Sequence, residues 1–243
     1  VPREGFYDAS RCAMLTNFWI EHYPDRSDSH KEDRNWKVLE RLLPRAETEW
    51  RVAHYVGAHF AATGNQERAL HYLERAVQLA DFGTDRLASM YMAFRSSLSA
   101  NDAEKMQRLG ARLAMEYPWF PEGLAAPVLL YGKQTDGART VTWYERYKDR
   151  IQEARAAHGS LWGHESFFLP HRIAAEAYHA MGRLAEAADA AERALAYEPR
   201  DSDTQHLLAI CERERALKDP REQAGKLIRL AASMGDREGA RRL

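Results

Sequence analysis

The sequence predicts an all-α fold in which antiparallel helix pairs stack into an α-solenoid behind an N-terminal helical lead-in. Three observations support this prediction. Glycine and proline are scarce, at 14 and 9 of 243 residues, while Ala, Leu, Glu and Arg fill long stretches. Apolar residues recur three and four positions apart between short turns. A unit of helix, turn and helix then recurs along the chain, as it does in stacked helical repeats.

The lead-in covers residues 1–45 and is interrupted by a polar turn. Ser10 is expected to cap a first amphipathic helix, and Pro24 ends it because a proline disfavours helix at the preceding residue. Residues 24–30 then combine Pro, Asp and Ser, whose side chains favour turns. A second amphipathic helix follows and extends to Pro44.

The rest of the chain predicts further helices separated by short turns, with repeats over residues 46–200 and a polar C-terminal cap over residues 201–243. The predicted helices are 46–63, 66–80, 85–99, 102–116, 121–132, 137–157, 164–181, 184–197, 202–218 and 220–234. The turns inside the helix pairs are expected at Gly64, Asn101, Asp136 and Gly182.

Two helix pairs share one internal spacing. The first reads Ala53, Val56, Gly57, Phe60, Ala69, Leu73 and Ala76 in order, and the second reads His171, Ala174, Ala175, Tyr178, Ala187, Ala191 and Ala194. Small residues at such positions let two antiparallel helices approach to the lower end of the usual 8–10 Å, while an aromatic ring fills the seam beside them. A larger residue at Gly57 is therefore expected to overpack the pair.

This spacing resembles the tetratricopeptide repeat, a unit of about 34 residues with the pattern W-x2-L-G-x2-Y, A-x3-F and P. Both copies lack the leading Trp, and the second has Ala191 where Phe is usual, so the units are divergent. The resemblance implies a right-handed solenoid in which the first helix of each pair lines a groove for a peptide or a partner helix. An ordinary antiparallel bundle with Ala-rich seams is the alternative.

The resemblance assigns a partner-binding groove to the first helices of the pairs. The assigned residues are Arg51, His54, Ala58, Tyr91, Arg95, Leu129, Arg172, Glu176 and His179. Arginine makes planar bidentate hydrogen bonds to carboxylates, so we expect a protein or peptide partner that is acidic or carries aromatic side chains. The Lys and Asn clamp of chaperone-binding members is not reproduced. Simple solvation is the alternative explanation for each charged residue.

The polar turn of the lead-in is a candidate metal site. His22, Asp25, Asp28 and His30 offer two imidazoles and two carboxylates within a short stretch, a set able to hold a divalent metal. A polar turn between two helices explains the same residues without a metal.

The residues from Lys31 to Glu40 resemble the junction helix of bacterial family-2-type glycosyltransferases that carry tetratricopeptide repeats behind a catalytic domain. This second resemblance implies that the chain is the C-terminal portion of a sugar-nucleotide-dependent glycosyltransferase, with a divalent metal as cofactor. The chain begins at Val1 without Met, from which we expect a processed product or a fragment of a longer protein.

Composition and motifs argue against other classes of protein. The 35 Lys+Arg and 36 Asp+Glu give a net charge of −1, which is unlike a nucleic-acid or membrane-surface binder. The longest apolar run, residues 124–131, is far shorter than the roughly 20 residues of a membrane span. No phosphate loop, nucleophile elbow or zinc-protease motif occurs. Two isolated cysteines predict no disulfide framework, and the six tryptophans are expected in the core between repeats. We therefore expect a non-catalytic, cytoplasmic scaffold without a cofactor.

Overall fold

The computed structural model describes residues 29–218, and within this range it leaves out the side chains of residues 29–35, 163–165 and 218. Over these residues the chain is all-helical, with ten α-helices, one short 3-10 helix and no strand. Contacts divide the chain into two units, Val1–Val38 and Leu39–Leu243. The second unit contains nearly everything described below.

The helices follow one another with short connections. Their bounds are α1 Ser29–Leu42, a 3-10 helix Leu43–Glu47, α2 Trp50–Ala62, α3 Gln66–Leu79, α4 Thr84–Ala100, α5 Ala103–Glu116, α6 Pro121–Lys133, α7 Gly137–His158, α8 Gly163–Ala180, α9 Leu184–Leu195 and α10 Ser202–Lys218. The predicted bounds agree within four residues, and α2 begins late because Pro44 opens a 3-10 helix before it. The helices predicted after Ser10 and over 220–234 lie outside the described residues.

The turns inside the pairs share one local conformation. A residue with positive φ stands just before the start of the second helix, at Gly64, Asn101, Thr135 and Gly182. The side chain of the next residue then caps that helix in three of the four turns. Asn65, Asp102 and Asp136 accept hydrogen bonds from the backbone N–H of Arg68, Lys105 and Arg139 at 3.2, 3.0 and 3.0 Å. Each cap satisfies an amide that the helix itself cannot pair, which fixes where α3, α5 and α7 begin.

The helices pack in sequence, and the even-numbered ones also contact one another. Each helix from α2 to α10 contacts the next along the chain. In addition α2 contacts α4, α4 contacts α6, α6 contacts α8 and α8 contacts α10, whereas α3, α5, α7 and α9 make no contacts among themselves within the described part of the chain. The even-numbered helices therefore lie closer together than the odd-numbered ones.

The positions of the repeated spacing form the seams of the helix pairs. In the first pair Ala53, Ala69 and Ala76 are completely buried, and in the second the alanines at 174, 175, 187, 191 and 194 are too. A Cβ built on Gly57 would lie 2.6 Å from Cγ of Leu73, well inside van der Waals contact. Glycine is therefore required at this crossing unless Leu73 moves.

A buried carboxylate holds the start of α8 against α6. Oε1 of Glu122, in the first turn of α6, accepts hydrogen bonds from the Oγ of Ser160 at 2.6 Å and from the backbone N–H groups of Leu161 and Trp162 at 2.7 and 3.2 Å. Glu122 is completely buried. Because these donors surround the start of α8, Glu122 anchors the connection that follows the long helix α7.

The tryptophans only partly follow the prediction of a core position. Trp36, Trp50, Trp143 and Trp162 are half-buried, but Trp119 is 44% exposed, so the prediction is wrong there. Trp19 lies outside the described residues. Trp119 stands in the connection between α5 and α6, and in this connection the completely buried ring is that of Tyr117. No helix in the described range is both long and apolar enough to cross a membrane.

Candidate partner-binding groove

Three adjoining cavities run along the even-numbered helices. The first, about 270 Å³, lies between α2 and α4, and the second, about 440 Å³, lies among α4, α6 and α8. The third, about 170 Å³, lies between α8 and the end of α6 with the start of α7. Arg95 and Ser99 line both the first and the second cavity, and Gly132 and Ile173 line both the second and the third. Because neighbouring cavities share lining residues, they lie side by side, and we call this row of three cavities the groove.

The central cavity combines an apolar floor with two cationic side chains. The apolar lining residues are Leu98, Leu129, Leu169 and Ile173. Arg95 of α4 and Lys133 at the end of α6 line the same cavity. Lys133 is exposed, and no acidic side chain among the described residues pairs with it. Such a surface suits a segment that places an apolar side chain beside a carboxylate.

The third cavity carries the opposite charge. Glu176 lines it together with small and polar residues such as Thr135 and Ala177. The Glu176 carboxylate accepts a hydrogen bond from Nε of Arg172 at 3.2 Å, so part of its charge is neutralised within α8. The net positive character of the groove is thus concentrated at its centre.

Four of the predicted groove residues line these cavities, namely Ala58, Arg95, Leu129 and Glu176. The prediction for Tyr91 is wrong, because this residue is completely buried. Its ring packs against Trp162, with ring centroids 4.9 Å apart, and against Phe94 at 6.3 Å. Tyr91 lies on the core face of α4, together with the buried Leu87 and Met90, and does not face a partner.

Two further predicted residues connect α8 to α10 and line none of the three cavities. Arg172 lies 3.5 Å from a carboxylate oxygen of Asp201 and 3.1 Å from one of Asp203. Nε2 of His179 lies 3.6 Å from a carboxylate oxygen of Glu214. Arg172 therefore helps to hold the start of the C-terminal helix in place, and His179 lies beside the same helix.

The remaining two predicted residues belong to α2 and also lie outside the cavities. The guanidinium of Arg51 stacks over Trp50 at 5.2 Å from the ring centroid. His54 Nδ1 is hydrogen-bonded to the Oγ of Ser89 at 3.0 Å. Burial lowers the pKa of His54, and the carboxylate of Asp85 partly opposes this effect. His54 thus joins α2 to α4.

Residues missed by the sequence analysis lie one helical turn from residues that it named. Leu98 and Ser99 follow Arg95 by three and four positions, and Gly132 and Lys133 follow Leu129 in the same way. Ile173 precedes Glu176 by three. Since positions three and four apart share a helix face, extending each assigned position by one turn would have found them.

The candidate metal ligands cannot be placed together. His22, Asp25 and Asp28 lie outside the described residues, and of His30 only the backbone, in α1, is described. Within the described range, no group of three or more His, Cys, Asp or Glu side chains is arranged to hold a metal ion.

No protein-family model matches the sequence, and no curated protein is significantly similar to it. The resemblances to tetratricopeptide repeats and to the glycosyltransferase junction therefore stay predictions, and so does the metal cofactor of the glycosyltransferase alternative.

Proposed function

We propose that this chain is a tetratricopeptide-type scaffold, a right-handed solenoid of antiparallel helix pairs, whose groove binds an acidic segment of a partner protein. The observation that carries the proposal is the row of adjoining cavities, at whose centre an apolar floor at Leu129 and Ile173 lies beside the cations Arg95 and Lys133. An isolated pocket for a small molecule would need no such extension along four helices.

The contacts between helices support an inner position for the groove. The even-numbered helices contact one another and the odd-numbered ones do not. When the even-numbered helices are more closely spaced than the odd-numbered ones, a stack of helix pairs curves toward its even-numbered side, because that side is the shorter one. The groove then lies on the concave surface, where a bound segment reaches several helices at once.

The geometry also sets the length of the bound segment. Neighbouring helices pack about 8–10 Å apart, so the centres of the first and third cavities are separated by about 20 Å. An extended chain advances about 3.3 Å per residue, and about six residues therefore span the groove. We expect the carboxylate of the segment near the middle, beside Arg95 and Lys133.

Selection from a phage-displayed library of short random peptides tests the proposal. We expect enriched peptides to combine Asp or Glu with aliphatic residues, and we expect their affinity, measured by fluorescence anisotropy, to fall with added salt. Replacing both cations, Arg95→Glu with Lys133→Glu, should weaken binding at least about tenfold, the equivalent of roughly 1.4 kcal/mol.

The matched control carries the same change in charge on the exposed Arg200 and Arg213. We expect Arg200→Glu with Arg213→Glu to leave affinity within about twofold, a difference of under roughly 0.5 kcal/mol. Failure to enrich any peptide, or equal binding by both double variants, would contradict the proposal.

A further inference from the structure

A second cavity system lies between α5 and α7. Both helices pack on α6 and make no contact with each other in the described part of the chain, which leaves a cleft of about 190 Å³. Its walls include Ala111, Ala114 and Met115 of α5, Tyr131 of α6 and Trp143 of α7. We call this the α5–α7 cleft.

Small residues keep the cleft open. A Cβ on Gly110 would already lie 3.1 Å from Cε2 of Phe94 and 3.2 Å from Cδ2 of Leu130, so α5 packs closely on its neighbours there. The adjoining Ala111 and Ala114 are too short to fill the space toward α7. Met115 stands at the rim with 79% of its surface exposed, so its thioether is open to contact from outside.

The size and lining of the cleft define what it can hold. Its volume is below the roughly 300–1,000 Å³ of pockets that enclose a drug-sized ligand, so it accommodates a single large side chain. The thioether of Met115 and the ring of Trp143 favour an aromatic one, because sulfur–aromatic contacts and offset or edge-to-face rings are both attractive.

Charge on the α7 side favours a carboxylate next to that aromatic ring. The guanidinium of Arg146 lies 4.8 Å from the ring centroid of Trp143, and among the described residues no acidic side chain pairs with it. The guanidinium of Arg139 lies 5.5 Å from the ring centroid of Tyr131, although Asp136 is also near it. Arg146 therefore offers an uncompensated positive charge at the edge of an apolar cleft.

The α5–α7 cleft and the groove lie on opposite sides of α6. The cleft uses positions 127, 130 and 131 of this helix, and the groove uses positions 129, 132 and 133. At about 100° per residue, the two sets point in nearly opposite directions. We propose that the α5–α7 cleft is a second docking site, which takes an aromatic side chain followed by a carboxylate from a partner protein.

A capped tetrapeptide, Ser-Phe-Glu-Ser, tests this site on the full chain. In protein labelled with ¹³C at the methionine methyl groups, we expect the Met115 signal, assigned through Met115→Leu, to move saturably during titration while signals remote from the cleft stay in place. The peptide Ser-Ala-Glu-Ser should cause no such shift. The exposed Ala111 offers a variant that fills the cleft, and Ala111→Phe should abolish the response to the Phe peptide.

The role of Arg146 is tested by a cycle of peptide and protein changes. We expect Ser-Phe-Gln-Ser to bind about two- to fivefold more weakly than Ser-Phe-Glu-Ser, the range of an exposed ion pair, and Arg146→Gln to remove that difference. An unmoved Met115 signal, an equal response to the Ala peptide, or unchanged binding in Ala111→Phe would overturn the docking site. A Glu preference that persists in Arg146→Gln would overturn the assigned carboxylate position.

Discussion

The helix pairs α2–α3 and α8–α9 have the same internal spacing but hold their crossings together differently. In the first pair Gly57 faces Leu73, and the equivalent residues of the second pair are Ala175 and Ala191. At the first crossing the large side chain of Leu73 packs against a glycine, whereas at the second crossing two small alanine side chains occupy the equivalent positions. The two pairs therefore share one spacing of small residues, but the side chains at each crossing determine which substitutions destabilise that pair.

The two pairs also differ in polarity. The first position of the pattern is Ala53 in α2 and His171 in α8, and both are buried. Nδ1 of His171 is hydrogen-bonded to the Oη of Tyr144 at 2.8 Å, and its ring stacks on Tyr197. The first pair is thus expected to respond mainly to side-chain volume, and the second to pH as well.

The largest effect is expected from added volume at the glycine crossing. We predict that Gly57→Val lowers the free energy of unfolding by about 3 kcal/mol, because its Cβ would collide with Leu73. Chemical denaturation monitored by circular dichroism measures the loss. The control is Ala58→Val at the half-buried neighbouring position. It should lower the free energy of unfolding by less than about 1 kcal/mol, mostly because valine has a lower helix propensity than alanine.

A double-mutant cycle sharpens the same comparison. Gly57→Ala with Leu73→Ala gives the first crossing the two alanines of the second, so their combined cost should fall short of the sum of the single costs by about 1 kcal/mol or more. Strict additivity would show that the two residues do not compete for the same space.

The second pair is held by Glu122, which lies outside the pair in α6. We expect its removal to lower the free energy of unfolding somewhat less than Gly57→Val does. Glu122→Ala leaves the buried N–H groups of Leu161 and Trp162 without their acceptor, so we predict a loss of about 2 to 3 kcal/mol. Hydrogen exchange followed by mass spectrometry should show faster exchange at the start of α8 than in α2. A uniform change along the chain would argue against an anchor local to α8.

The polarity of the second pair predicts a loss of stability in mild acid. Burial lowers the pKa of His171 from its usual 6.5 to about 4. Between these two pH values His171 is therefore protonated in the unfolded chain and neutral in the folded chain. Stability should therefore fall from pH 6.5 toward pH 4, by about 2 kcal/mol between neutral pH and about pH 5.

Comparison with His171→Phe isolates this contribution. The pKa of His54 is lowered too and acts in the same direction, so the relevant quantity is the difference in pH slope between wild type and variant. Measurement above about pH 5 avoids the carboxylates, which titrate lower. An identical pH slope for both proteins would contradict the assignment to His171.

The smallest effect concerns the turns of the two pairs. Asn65 caps α3, whereas the equivalent Arg183 makes no capping hydrogen bond to α9. We predict that Asn65→Ala costs about 1 kcal/mol and that Asn65→Ser, which keeps a capping oxygen, costs little. Thermal unfolding of the two variants checks this, and an equal loss in both would mean that the cap does not contribute.

Helix bounds and seams could be predicted because they depend on local pattern. Periodicity, turn residues and the shared spacing act within a single helix pair, and they placed α2 to α10 within a few residues. The predicted turn residues Gly64, Asn101 and Gly182 have positive φ, and the fourth, Asp136, follows Thr135, whose positive φ is rare for a β-branched residue.

The surroundings of several candidate site residues depend on contacts that sequence spacing does not contain. Arg172 and His179 were assigned to the groove, and the structure places them outside its three cavities, beside Asp203 and Glu214 of α10. Tyr91 was assigned from its repeat position, although Trp162 covers it from a distant connection. Glu122 appears in the sequence as an ordinary acidic residue in a first helical turn, and only the folded chain brings the start of α8 to it.

A crystal structure of the chain with a library-selected acidic peptide tests the central claim most directly. The account predicts an extended peptide along α2, α4, α6 and α8, with an apolar side chain against Leu129 and Ile173 and a carboxylate between Arg95 and Lys133. A crystal in which the peptide leaves the groove empty, or one in which its carboxylate avoids both cations, would contradict it.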